Sequence, residues 1–229
     1  MRKIYIVLAG LFFVPEGISA QELRLRNQPF DDQKQYHYGI SIGMNVQDIL
    51  LTNNGIESLY ATIPGYSPGF SVGLLGDLYL NPFLNLRFSP SLHLGEKSFV
   101  FVDGFTDEHY ETIVRSSYLS FPLDLKMRAL RLNNYRPYLF AGVYGAVDLG
   151  RKADEALYLN PFDFGISVGF GIDYYLPIIK VCPELRFSFG MVDIIEHTRV
   201  DLTDESLRKY TAAIAQGKTR MISLVFHFD

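Results

Sequence analysis

Five histidines, one cysteine and 25 carboxylates are the side chains of this 229-residue chain best suited to metal or nucleophile chemistry. A metal site needs several of them at close, regular spacing, and nucleophilic catalysis needs a hydroxyl or thiol within reach of a base. His37, His93, His109, His197 and His227 show no metal-ligand spacing with one another. The chain is read as carrying no nucleophile elbow, phosphate loop or zinc motif. Asp103, Asp107, Glu108 and Glu111 cluster in one polar stretch, but neither their spacing nor the placing of a glycine matches a calcium loop, so they read as solvated carboxylates. Cys182 stands alone, which excludes an intramolecular disulfide, and reads as a packed thiol rather than a reactive one. The expectation is therefore no catalytic, cofactor-binding or metal-binding residue, and no enzyme.

A second set of charges is more orderly. Asp77, Arg87, Asp124, Arg128, Asp173, Glu184 and Arg186 all fall on the polar parity of a period-two pattern whose other parity is bulky and apolar. Such a pattern belongs to strands with two unlike faces. The first runs from Tyr36 to Gln47, with Tyr36, Tyr38, Ile40, Ile42, Met44 and Val46 on the apolar side. The second covers 69–80, the third 84–94, the fourth 119–128, the sixth 164–174, the seventh 184–191 and the eighth 220–228. The fifth, 137–147, is apolar on both parities, and its faces are not assigned. Even residues of strands one, two, three, six and eight, and odd residues of strands four and seven, form the apolar face.

Short connections near 81–83, 131–136 and 176–180 alternate with long polar ones near 48–66, 97–115, 148–161 and 194–218. All short turns then fall on one rim, the layout of outer-membrane barrels. The predicted fold is all-β: an eight-stranded antiparallel transmembrane β-barrel. A soluble barrel would have to bury the seven charges in a core only wide enough for side chains. Turned inside out, the charges neutralise one another in the lumen and the apolar face meets outer-membrane lipid. Tyr36, Tyr38, Tyr79, Phe83, Tyr135, Tyr138, Tyr174, Tyr175, Phe226 and Phe228 gather at the short-turn rim as an interfacial girdle. His93 and His227 fall on the lumen parity, where hydrogen bonds to neighbouring carboxylates are expected. Leu86→Arg, read as near the bilayer midplane, is expected to cost about 2–4 kcal/mol, and Ser89→Asn on the other face to be tolerated.

Arg2 and Lys3 precede an apolar run, Ile4–Val14, too short to span a bilayer, and Ala20 suits the residue before a signal-peptidase cut. The expected organisation is a signal peptide over 1–20, a periplasmic N-terminal segment over 21–35 and the barrel domain over 36–229. Long loops are expected outside the cell and the termini in the periplasm. Removing Arg2, Lys3 and Glu16 from the 21 basic and 25 acidic residues leaves 19 and 24, a net charge of −5. That balance offers no electrostatic footprint for nucleic acid. The last strand ends in Leu224, Phe226 and Phe228, the alternating aromatic close common in bacterial barrels, with Asp229 after it. In the final long loop Thr203 could cap a helix stopped by Gly217, either docking a partner or folding over its own barrel. The residues do not identify a small-molecule ligand.

The segments LNPFLNLRFSPSLHLGEKSF (80–99), LSFPLDLKMRALRLNNYRPYLFAGVYGA (119–146) and FGISVGFGIDYYLPIIKVCPELRFSFGM (164–191) resemble the PorT family of outer-membrane proteins of Bacteroidetes. The resemblance implies a role in the type IX secretion system, with other components of that system as partners, and brings no catalytic residues with it. Two further classes stand beside this one: a structural or adhesive surface barrel unrelated to secretion, and an outer-membrane lipid-modifying enzyme.

Overall fold

The computed structural model describes residues 26–53, 59–62, 68–103, 109–149, 160–194 and 214–229. The predicted signal peptide and most of the predicted loop helix lie outside them. Ten strand segments are described: β1 (Tyr36–Asn53), β2 (Leu59–Thr62), β3 (Pro68–Asn81), β4 (Leu84–Phe88), β5 (Ser91–Asp103), β6 (His109–Arg128), β7 (Tyr135–Asp148), β8 (Phe162–Tyr175), β9 (Lys180–Gly190) and β10 (Ile214–Phe228). All pair antiparallel. β1 pairs with both β3 and β10, so the sheet closes on itself.

β4 and β5 are two halves of one wall. Both keep one register against β6, and one against β3 apart from a shift between Tyr79 and Asn81, and only Ser89 and Pro90 interrupt them. Proline has no N–H to give the ladder, which accounts for the break. The Pro90 carbonyl still accepts from Leu74 N at 2.9 Å. β2 pairs only with the far end of β5, beyond the ring. The ring itself therefore has eight walls.

The faces are inverted relative to a soluble barrel. Large apolar side chains point out, among them Met44, Leu74, Leu125, Phe170 and Leu224. Inward lie Asp77, Arg87, Asp124, Lys126, Asp173, Glu184 and Arg186, all buried. The parity assigned from the sequence to seven walls matches this inside-out arrangement.

β7 supplies the missing assignment. Its even residues turn inward, so Tyr138, Phe140 and Tyr144 are buried in the lumen while Leu139 and Val143 face out. Each of these rings lies opposite a glycine of β8: Tyr138 faces Gly171, Phe140 faces Gly169 and Tyr144 faces Gly165. A Cβ added at Gly169 would sit 2.5 Å from Phe140 Cζ and 2.2 Å from the Leu185 carbonyl oxygen. The rings fill the space that the glycines leave, and so both parities of β7 read as apolar. Gly169→Ala is expected to destabilise the barrel by about 1–3 kcal/mol, the cost of overpacking a filled interior. A urea midpoint equal to that of the parent protein in the same detergent would contradict this packing.

Several sequence expectations are corrected here. The stretch 97–115 is mostly paired strand, because β5 and β6 stay in register out to Val102↔His109. Asp103 and Glu111 therefore lie on strands, and Asp107 and Glu108 lie outside the described residues. Ile214–Gly217 belongs to β10 and pairs with β1, so Gly217 does not stop a helix. Two girdle aromatics turn inward: Tyr138 is 3 % and Tyr175 1 % exposed, and their hydroxyls reach the carboxylates of Glu184 and Asp32. Tyr79 also lies on the inner parity, with Arg128 5.4 Å over its ring. Tyr36, Tyr38, Phe83, Tyr135 and Tyr174 do point outward at that rim.

Candidate functional site: a filled lumen with a capped mouth

Period-two spacing brings the charges of five walls to one level of the lumen. Arg87 reaches Asp77 at 3.1 Å and Glu184 at 2.7 Å. Arg186 reaches Asp124 at 2.7 Å and the same Glu184 at 2.9 Å. Lys126 is bidentate on Asp173, at 2.7 and 2.8 Å, and stands 3.7 Å from Asp77. Tyr138 donates to Glu184 at 3.0 Å while its ring carries Lys126 Nζ 4.0 Å above it. Ser167 donates to Asp124 at 2.7 Å. Three cations lost from water would be costly alone; each here is offset by hydrogen-bonded carboxylates.

Six of the seven charges singled out from the sequence meet in this network. Arg128 is set apart near the turn end, over Tyr79, and the network's third cation is Lys126. His227 Nε2 lies 3.5 Å from Glu184. His93 departs from expectation: it pairs with Ser120 Oγ at 2.9 Å and stacks on Tyr118, with no carboxylate partner. His109 lies on β6, and His197 is outside the described residues.

Toward the long loops the lining turns to serine and histidine, with Arg186 of the network among it. Ser41, Ser71, His93 and His227 line a small enclosed cavity, and Ser41 Oγ, Ser71 Oγ and His93 Nδ1 have no hydrogen-bond partner among the described residues. Buried hydroxyls in that state call for ordered water, which a polar cavity of this size accommodates.

The pentad Gly-x-Ser-x-Gly occurs four times in the sequence, at Gly39–Gly43, Gly65–Gly69, Gly69–Gly73 and Gly165–Gly169, and residues 65–67 lie outside the described residues. An elbow needs the serine on a sharp strand-to-helix turn. Here Ser41, Ser71 and Ser167 sit inside β1, β3 and β8, so these three pentads are inner-face small residues of strands. Among the described residues no three His, Cys, Asp or Glu side chains converge to hold a metal ion. Cys182 is fully buried.

At the turn end the chain before β1 folds across the mouth. Residues 26–35 hold a single 3-10 turn, Asp31–Gln33, and act as a strap. Asp32 accepts from Tyr175 at 2.7 Å, from Arg136 at 3.1 Å and from Arg131 at 3.2 Å. Asp31 accepts from Lys180 at 3.3 Å and pairs with Lys34 at 2.8 Å. Arg131 also donates to the carbonyls of Asn27 and Gln28, with its guanidinium 3.6 Å from the Tyr175 ring centre. Gln28, at φ 47°, reaches the Leu176 carbonyl. Asp229 joins from the other terminus, meeting Lys180 and, at 3.2 Å, His37. Sequence periodicity gave no sign of this strap, since its partners are single polar residues in distant turns.

Burial opposes the charge of Asp32, but Tyr175, Arg131 and Arg136 together hold its carboxyl below the ordinary range. Burial likewise opposes Asp229, and His37 and Lys180 bring it down to about 2 from 3.8. Carboxylates with lowered pKa stabilise the fold fully above their ordinary value and lose that effect as pH falls through the folded one. The strap is expected to be tight at neutral pH and to loosen from about pH 4 toward 2. Anisotropy of a fluorophore at Gln33→Cys reads this, because Gln33 is exposed and Cys182 is not. Release already complete at pH 5 would contradict it.

An apolar exterior, a polar charged lumen and ring closure define a transmembrane β-barrel. The chain belongs to the outer membrane protein beta-barrel domain family, which it matches over residues 19–196. It is an outer-membrane β-barrel protein. Among solved structures it is similar to Neisserial surface protein A, at 10 % identity and TM-score 0.47, over 85 % of this chain and 98 % of that one. It is also similar to OprG from Pseudomonas aeruginosa, at 15 % identity and TM-score 0.48, over 83 % and 92 %. No curated protein matches the sequence.

Proposed function

We propose that this barrel is a non-catalytic outer-membrane component required for type IX protein secretion, serving the surface delivery of cargo proteins. The observation that carries the reading is the likeness of 80–99, 119–146 and 164–191 to the PorT family. The filled lumen limits how such a barrel acts. Eight walls packed with Arg87, Lys126, Tyr138 and Arg186 leave no passage for a polypeptide. The protein therefore works by contact, through its loops, its turns or its outer wall. In this reading the long loops face the exterior, and the turns and both termini face the periplasm, as in bacterial barrels generally. Deleting the gene and measuring cargo on the cell surface tests the proposal. Loss of surface cargo is expected, with the lipid A composition and integrity of the envelope unchanged; cargo delivered in normal amounts would refute it.

A further inference from the structure

The turn end carries an apolar surface that neither the lumen nor the bilayer accounts for. Phe30 of the strap is 73 % exposed, Leu130 70 %, Leu132 54 % and Ile178 94 %. The strap gathers them: Arg131, between the two leucines, holds Asn27 and Gln28, while Gln28 and Asp31 hold Leu176 and Lys180 on either side of Ile178. All four lie in the strap or the turns, at or beyond the level of the outward tyrosines Tyr36, Tyr135 and Tyr174 that mark the head groups, with Leu132 paired to Tyr135 itself. Lipid tails do not reach beyond that girdle, so lipid does not cover them. Exposed apolar clusters rimmed by charge mark protein contacts.

The charge of the rim selects the kind of partner. Arg26 and Lys34 have side chains 53 % and 62 % exposed, whereas the carboxylates they pair with, Asp32 and Asp31, are 18 % and 4 % exposed. What faces outward is positive. A second copy of this surface would set like charges against each other, which disfavours self-association.

We infer that the strap and the 129–134 and 176–179 turns form a docking face for a different protein, one presenting an apolar patch edged by carboxylates. The assignment of this face to the periplasm rests on the orientation proposed above.

The test is the size of the protein extracted from native membranes in mild detergent, read by sedimentation. Leu130→Ser with Ile178→Ser removes the apolar contact, and Arg26→Gln with Lys34→Gln removes the charge. Heat-modifiable migration on gels confirms that each variant is folded, as expected for such exposed sites. The parent protein is expected in a heteromeric complex, and each pair of substitutions is expected to lower the complexed fraction about tenfold, the effect of losing a hot-spot contact. A parent protein that sediments as one barrel, or as a multiple of its own mass, overturns the inference. So does a complex indifferent to either pair. The secretion reading is judged separately, by surface cargo on deletion: a complex lost in the variants while cargo is unaffected by deletion keeps the docking face and removes the secretion role.

Discussion

Arg87→Met is expected to destabilise the folded barrel by about 3–5 kcal/mol, the usual cost of removing one partner from a buried ion pair. Arg87 is 1 % exposed and bridges Asp77 on β3 to Glu184 on β9, across the full width of the lumen. Without it both carboxylates remain, and Glu184 keeps only Arg186, Tyr138 and a more distant His227. The loss is thus chiefly that of uncompensated buried charge, not of packing, since methionine preserves much of the volume. The double variant Arg87→Met, Glu184→Gln is expected to recover part of the loss, because one of the stranded charges goes with it. Urea titration in micelles measures both. A single variant as stable as the parent, or a double variant worse than the sum of the singles, would refute the network as drawn.

Val168→Arg is the other large effect, expected at about 2–4 kcal/mol, the cost of a cation facing lipid at the bilayer midplane. Val168 stands midway along β8, faces out, and lies in a row with Ala141 of β7 and Phe187 of β9. The outward orientation expected of Leu86 holds, but its depth does not. Leu86 is three residues from the turn residue Phe83, and it pairs with Leu78, which pairs with the girdle residue Tyr36. Arginine at that level can reach head groups, so Leu86→Arg is expected to cost about 0–1 kcal/mol. Ser89→Asn, buried on the lumen side beside the small polar cavity, is expected to be tolerated. Folding into lipid vesicles separates the three. Equal costs at 86 and 168 would move the membrane relative to the rim tyrosines.

Period-two alternation made most of the barrel legible, because a strand with one face in lipid and one in a charged lumen leaves no ambiguity of parity. The charged site was legible for the same reason: Asp77, Asp124, Asp173, Glu184, Arg87 and Arg186 all occupy the polar parity. β7 was not, because Tyr138, Phe140 and Tyr144 pack on glycines of the next strand, and that pairing exists only once the register is known. The β5–β6 extension was visible in principle: Phe99, Phe101, Tyr110, Thr112 and Val114 are strand formers, although Lys97, Asp103 and Arg115 make the stretch look like polar loop. The strap was hidden more deeply. Asn27, Gln28, Asp31 and Asp32 look like any polar linker, and their partners are fixed by the closed ring.

That dependence bears on the order of folding. Asp32 meets Arg131 and Arg136, and Asp31 meets Lys180, across sequence separations of 99 to 149 residues. No isolated hairpin contains both sides of any of these contacts. Lys180 also exchanges backbone hydrogen bonds with Asp229, the neighbour of the strand that closes the ring. The strap can therefore seat fully only on a finished barrel, late in folding, as expected of contacts with the longest loops to close. A seated strap is a certificate of completion, written in contacts that no partly assembled chain can forge.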